Sequence, residues 1–100
     1  MTRNEIDKVL YSILRKFRPD EEKLRDLWNK GRSLPLTGEK WGFNGIDLTY
    51  LFFEVEQAFQ IVISPNSITN YQFNTIESIV NIVDSYLSAT SRKVIKKKKN

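Results

Sequence analysis

The sequence contains neither cysteine nor histidine among its 100 residues. Without cysteine there is no disulfide, no thiol nucleophile and no thiolate ligand for a metal. Without histidine, the side chain that most often serves as general base and as nitrogen ligand is missing too. The sequence also gives no sign of paired carboxylates that converge on one point. We therefore expect no enzymatic activity and no metal site.

Long apolar runs and a leader segment are missing as well. The first residues, Met-Thr-Arg-Asn-Glu-Ile-Asp, carry too much charge for a signal peptide, and no apolar run approaches the length of a membrane span. We therefore expect a cytoplasmic protein without a membrane span. The balance of 40% hydrophobic and 28% charged residues suits one globular domain with a modest core.

The net charge of +4 is unevenly distributed along the chain. Six basic residues and no acidic residue lie near its end: Arg92, Lys93, Lys96, Lys97, Lys98 and Lys99. Without these six, ten basic and twelve acidic residues remain, a net charge of −2. The sequence thus predicts a mildly acidic domain over residues 1–88 and a basic, disordered tail over residues 89–100. Because no aromatic residues alternate with the lysines, a solubilising tail is favoured over one that binds nucleic acid.

Apolar residues recur at three- and four-residue steps in three segments, which is the spacing of helices with one buried face. The first segment spans about residues 3–17, behind a capping-box pattern of Thr2 and Glu5. The last segment begins at Asn74, whose side chain we expect to cap the helix, and ends near Ser88. Its apolar face is expected to consist of Ile76, Ile79, Val80, Val83 and Leu87.

The central segment runs from Asn44 to Phe59, and the residues of its first turn bear most directly on function. Asn44 can cap this helix, and Asp47 places a carboxylate near the positive end of the helix dipole. Gly45 lies between them at the mouth of the helix. We expect the buried face of this helix to consist of Ile46, Leu48, Leu51, Phe52, Val55 and Phe59.

Shorter elements connect the three long helices. A second, short helix is expected after Pro19, with Gly31 as its C-terminal cap in the left-handed conformation. Residues 31–43 then form a loop, and the apolar residues that should pin it to the core are Leu34, Leu36, Trp41 and Phe43. Residues 61–63 read Ile-Val-Ile and have no partner strand, so we predict an extended connector there.

One further turn of helix is expected around Ile68 and Tyr71. Together these elements predict an all-α fold, a small bundle of three main helices with short helices in the loops.

The order of these parts resembles the acyl carrier protein family. That family has a first helix, a long loop, a helix that opens with Asp-Ser-Leu, an extended connector, a short helix and a last helix. Here the corresponding segments are Asn44-Gly45-Ile46-Asp47, Ile61-Val62-Ile63-Ser64 and, at the entry to the last helix, Phe73-Asn74-Thr75-Ile76. The resemblance covers roughly residues 3–88 and implies the helical bundle of that family.

The chain departs from this family at the attachment site. In true carriers the serine of the motif bears phosphopantetheine through its hydroxyl, and Gly45 has no hydroxyl. Thr49 has one but lies within the helix, and Ser64 and Ser67 lie beyond its end. The comparison therefore implies that no cofactor is attached. Gly45 is a lost attachment site, a glycine that the turn into the helix requires, or both.

A narrower resemblance is to the acyl-carrier-related proteins encoded with peptide-maturation systems of the bacteriocin or modified-peptide kind. It rests on Leu36-Thr37-Gly38, Phe43, Asp47-Leu48 and residues 50–54. It implies a monomeric, non-catalytic module that docks onto a biosynthetic or peptide-modifying enzyme. The residues expected to contact that enzyme are Gly45, Ile46, Asp47, Thr49, Phe53 and Glu54.

Several alternatives remain open at this point. Phe53 is either an exposed binding anchor or a core residue. Asp47, Glu54 and Glu56 are either the remnant of an acidic docking face or a solvated helix back. The chain could also be a working carrier that bears phosphopantetheine at a displaced site, or a serine-to-glycine variant of one. A third hypothesis is an adaptor whose lysine tail binds nucleic acid or an anionic membrane.

Overall fold

The computed structural model describes residues 2–64 and 73–99, with side chains over residues 2–64 and 73–88. This described part contains four helices, namely α1 (Arg3–Phe17), α2 (Glu21–Lys30), α3 (Gly45–Phe59) and α4 (Ile76–Lys99), and no strand. The prediction of an all-α bundle with three main helices is confirmed. The turn of helix expected around Ile68 and Tyr71 lies outside the described residues.

The helix α1 packs against each of the other three helices. Its capping box is formed as predicted, because the Glu5 N–H donates to Thr2 Oγ1 at 3.2 Å and the Thr2 N–H donates to Glu5 Oε1 at 2.9 Å. Two hydrogen bonds with Thr2 lower the pKa of the Glu5 carboxyl. The bond with the Thr2 backbone has the larger effect, and the bond with the Thr2 side chain has the smaller one. The buried face of α1 carries Ile6, Leu10 and Leu14, all of which are completely shielded from solvent.

The end of α2 differs from the prediction in its backbone conformation. Gly31 is the C-terminal cap, but its φ of −116° is not left-handed. Glycine is needed there for space, since a Cβ would lie 2.9 Å from the Leu27 carbonyl oxygen and 3.2 Å from Trp41 Nε1. The Trp41 Nε1–H donates to the Gly31 carbonyl oxygen at 2.8 Å. The Leu27 carbonyl oxygen first, and the indole of Trp41 second, leave no room for a Cβ and explain this glycine.

The loop over residues 31–43 is fixed to the start of α4. The Leu36 N–H donates to the Asn74 carbonyl oxygen at 2.7 Å, and the Thr37 N–H donates to Asn74 Oδ1 at 3.3 Å. The loop side chains that are buried, as predicted, are Leu36, Trp41 and Phe43. Leu34 is exposed and does not anchor the loop.

The helix α4 departs from the prediction at both ends. Thr75 rather than Asn74 caps it, since the Ser78 N–H donates to Thr75 Oγ1 at 3.0 Å while the Asn74 side chain holds the loop. The helix continues to Lys99, so the backbone of residues 89–99 is helical where the sequence predicts disorder. Lysine and arginine are good helix formers, and cations are favoured near the C-terminal end of a helix.

The predicted apolar face of α4 is present: Ile76, Ile79, Val80 and Val83 are buried, and Leu87 is partly buried against the core. Within the part of the chain that the structure describes, no helix combines the length and the apolar character needed to cross a membrane.

The predicted connector after α3 is confirmed. Gln60 closes the helix with a left-handed φ of 55°, and residues 61–64 form neither helix nor strand. Ile61 and Ile63 are buried while Val62 between them is exposed, which is the alternation of an extended segment. The Ile63 N–H donates to Glu56 Oε2 at 2.8 Å, so a side chain of α3 holds the connector in place.

The two glycines at helix ends should respond differently to substitution by alanine. Gly31→Ala forces a Cβ against a backbone oxygen, so we expect it to lower the free energy of unfolding by about 1–3 kcal/mol. Gly45→Ala meets no atom within 4 Å, so we expect a change within about 0.5 kcal/mol, or a small gain from the helix propensity of alanine. Urea denaturation of the two variants measures both values. Equal losses would contradict this explanation of Gly31.

Candidate interaction surface on α3

A second capping box sets the start of α3. The Asp47 N–H donates to Asn44 Oδ1 at 2.8 Å, and the Asn44 N–H donates to Asp47 Oδ2 at 3.2 Å. The predicted cap is therefore confirmed. Because the Asp47 carboxylate is engaged in this box, it holds the first turn together and is only half-exposed. Because Asn44 is the N-cap, Gly45 is the first residue of α3.

Gly45 is exposed and unconstrained by its surroundings. A Cβ placed on it would have no neighbouring atom within 4 Å, and its φ is not in the left-handed region. Neither space nor backbone conformation requires glycine here, so the interpretation that the turn into the helix needs it is wrong. A serine at this position would direct its hydroxyl into solvent at the positive end of the helix.

Large apolar side chains lie exposed along one face of α3. Ile46 is 68% exposed, Tyr50 62% and Phe53 56%. Steps of four and three residues place these side chains on the same face, and the exposed Gln57 continues it for another turn. We call Ile46, Tyr50, Phe53 and Gln57 the α3 stripe.

The expectation that Ile46 belongs to the buried face is therefore wrong. The opposite face of α3 is the one that packs into the core, through Leu48, Leu51, Phe52, Val55 and Phe59. The helix thus has an apolar face inside and a second one in solvent.

A shallow groove runs along the first half of the α3 stripe. Its lining residues are Asn44, Gly45, Ile46, Thr49, Tyr50 and Phe53. Thr49 Oγ1–H donates to the Gly45 carbonyl oxygen at 2.9 Å, so this hydroxyl is engaged in the helix itself. Four of the six predicted contact residues therefore come together here, and Asp47 and Glu54 do not line the groove.

Tyr50 belongs to this surface but is not among the six predicted contact residues. Tyr50 follows Ile46 by four residues and precedes Phe53 by three, so helical spacing was the signal that could have found it. It adds a second large aromatic side chain to the exposed face.

The acidic residues of α3 are engaged within the protein. Glu54 Oε2 lies 2.8 Å from Lys16 Nζ, Glu56 accepts the hydrogen bond from the connector, and Asp47 belongs to the capping box. The exposed positions of α3 are all uncharged: Gly45, Ile46, Thr49, Tyr50, Phe53, Gln57 and Ala58. Any partner that covers this face meets apolar and neutral groups rather than a row of free carboxylates.

Phe53 is exposed, so the interpretation that places it in the core is wrong. Its ring contacts the buried Phe52 edge-on, with 5.9 Å between ring centroids, and Phe52 in turn packs edge-on against Phe73 at 5.3 Å.

Other polar and aromatic clusters of the described residues serve the fold. Arg18 donates two hydrogen bonds to the Trp41 carbonyl oxygen, at 2.9 and 2.7 Å, and its guanidinium lies over the Phe43 ring. Arg32 lies over the Trp28 ring and pairs with Asp7 at 3.1 Å. In the described part of the chain, no three acidic side chains come together in a way that could hold a metal ion.

Comparisons with protein-family models, curated proteins and solved structures find no match to this chain. The resemblance to acyl carrier proteins therefore stays a prediction from sequence motifs.

The adjacent residues Phe52 and Phe53 should differ sharply in their contribution to stability. Phe52→Ala empties a buried site, and we expect it to lower the free energy of unfolding by about 3–5 kcal/mol. Phe53→Ala removes a mostly exposed ring, and we expect a loss of about 1 kcal/mol or less. Denaturant titration of both variants measures the difference. A large loss from Phe53→Ala would show that this ring is a core residue.

Proposed function

We propose that the chain is a non-catalytic, acyl-carrier-like interaction module that docks onto a modifying enzyme, in a peptide-maturation system of the bacteriocin or modified-peptide kind. The observation that carries this proposal is the exposed, uncharged groove on α3 beside an attachment position without a hydroxyl. The class of partner is inferred from the sequence resemblance, and the groove is the surface to which we expect that partner to bind.

The composition of the groove suits docking to a protein. Tyr50 and Phe53 are large aromatic side chains, the type that concentrates binding energy at interfaces. Ile46 extends the apolar area toward the start of the helix. Contiguous exposed apolar surface on a small domain is commonly an interaction site.

Among the described residues, no serine or threonine hydroxyl near the groove is placed to carry phosphopantetheine, which supports a module without an attached cofactor. Gly45 has none, and the Thr49 hydroxyl donates within the helix. Ser64 lies at the end of the connector, beyond α3. The position that aligns with the family's attachment serine therefore offers no oxygen for an ester with phosphopantetheine.

Binding to the purified enzymes encoded beside this chain tests the proposal. We expect Phe53→Glu to weaken the affinity by about thirtyfold or more, because it places a charge in an apolar contact. Val62→Glu is the matched control, since Val62 is an exposed apolar residue outside α3. Isothermal titration calorimetry measures both. The proposal fails when none of these enzymes binds, or when the two variants lose affinity equally.

A second candidate function is a genuine acyl or peptidyl carrier, represented here by a serine-to-glycine variant or modified at a displaced site. The open space around Gly45 favours it, because a serine fits there without moving any neighbour. The capping box also leaves this position at the mouth of the helix, where a side chain would meet no atom within 4 Å.

Intact mass after incubation with coenzyme A and a promiscuous phosphopantetheinyl transferase separates the two functions. We expect the wild-type chain to stay unmodified and Gly45→Ser to gain the phosphopantetheine mass. A gain by the wild-type chain would establish a displaced site and favour the second function. If neither protein reacts, the transferase does not recognise this surface, and carrier-like docking loses its support.

A further inference from the structure

A second groove lies between α1 and α2 and is lined by residues of these two helices. Its floor consists of Tyr11 on α1 and Trp28 on α2, whose rings meet edge-on with 5.3 Å between their centroids. Both of these side chains are half-buried. The charged side chains that line the groove are Asp7, Lys8, Glu21 and Arg25. We call this site the α1–α2 groove.

The two acidic side chains of the α1–α2 groove are paired within the protein. Asp7 accepts hydrogen bonds from the Arg32 guanidinium at 3.1 and 3.3 Å, and Glu21 Oε1 lies 2.9 Å from Arg15 Nη2. The first pair joins the start of α1 to the loop just after α2, and the second joins the end of α1 to the start of α2. The two helices therefore run antiparallel, and neither carboxylate is left unpaired to repel an anion.

The two basic side chains of the groove, Lys8 and Arg25, form no ion pair with any residue that the structure describes. On α1, Lys8 lies three residues before Tyr11. On α2, Arg25 lies three residues before Trp28. Because the helices are antiparallel and the two rings are in contact, the basic residues lie on opposite sides of the ring pair, about 9 Å apart along the helix axes. The groove thus has a positive charge at each end and an aromatic floor between them.

We propose that the α1–α2 groove binds an acidic peptide segment in which an aromatic side chain lies between two carboxylates, with the spacing Glu-x-Phe-x-Glu. In an extended chain these three side chains share one face, and the two glutamates lie about 13 Å apart. The phenylalanine ring then packs on Tyr11 and Trp28. One carboxylate pairs with Lys8 and the other with Arg25, whose long side chains extend outward to meet this span.

The open form of the groove favours a peptide over other anions. Its lining side chains are half-buried or exposed and none of them is fully buried, whereas a site for a small molecule encloses most of its ligand. Two unpaired cations are few for a nucleic acid, whose affinity comes from the neutralisation of many phosphates. A short peptide with two carboxylates matches both the number and the separation of the charges. The inference concerns a surface other than the α3 groove and does not rest on the proposed docking function.

Calorimetric titration of the full chain with a capped synthetic peptide, Gly-Glu-Ala-Phe-Ala-Glu-Gly, tests the proposal. Because the charges are exposed, we expect a dissociation constant on the order of 0.1–1 mM at low salt, and an affinity lower by about fivefold or more when glutamine replaces both glutamates. Arg25→Glu should weaken binding by about tenfold or more, since it places a carboxylate opposite a carboxylate.

Lys23→Glu is the matched control, because Lys23 is an exposed basic residue of α2 outside the groove and undergoes the same change in charge. Its affinity should stay within about twofold of the wild type. The proposal is overturned when the acidic peptide does not bind, when the two variants lose affinity equally, or when the glutamine peptide binds as tightly.

NMR spectra of the isotope-labelled chain locate the bound peptide, because Trp28 lines the groove whereas Trp41 is buried and bonded to Gly31. We expect the indole N–H signal of Trp28 to shift and that of Trp41 to stay. Phe53→Glu should bind the peptide like the wild type, and a loss of affinity there would place the peptide on α3 and overturn the proposal. A Trp28 signal that shifts with a thymidine octanucleotide but not with the peptide would show a nucleic-acid site instead, which also overturns it.

Discussion

The structure depends on the burial of one face of α1. Ile6, Leu10 and Leu14 are completely shielded, and α1 contacts α2, α3 and α4. Because three helices pack on this one, each needs only a single inward face to complete the core. On α3 that face includes Leu51 and Val55, both completely buried. The outward face of α3 is thereby released from any role in folding, and its residues can serve binding.

The loop before α3 determines where that outward face begins. Leu36 is hydrogen-bonded both to Asn74 at the start of α4 and, through its carbonyl oxygen, to the Phe43 N–H at 2.9 Å. Trp41 lies buried between these points and bonds to Gly31 at the end of α2. The chain therefore reaches the cap of α3 through a loop that is held at the end of α2 and at the start of α4.

Local signals predicted the helices well, because they act within a few residues. The capping box and Pro19 predict α1 over its observed residues, and periodicity predicts the buried faces of α1 and α4. The errors arise where distant residues decide the outcome. Gly31 lacks room for a Cβ between the Leu27 carbonyl oxygen and the indole of Trp41, and the Asn74 side chain bonds to the loop instead of capping α4. Such contacts leave no periodic trace in the sequence.

The position of α3 in the core explains why its outward face was only partly predicted. Two apolar series run along this helix, one through Leu48 and Leu51 and the other through Ile46, Tyr50 and Phe53. Both have helical spacing, so periodicity alone cannot tell which series packs on α1. Only the tertiary structure distinguishes them.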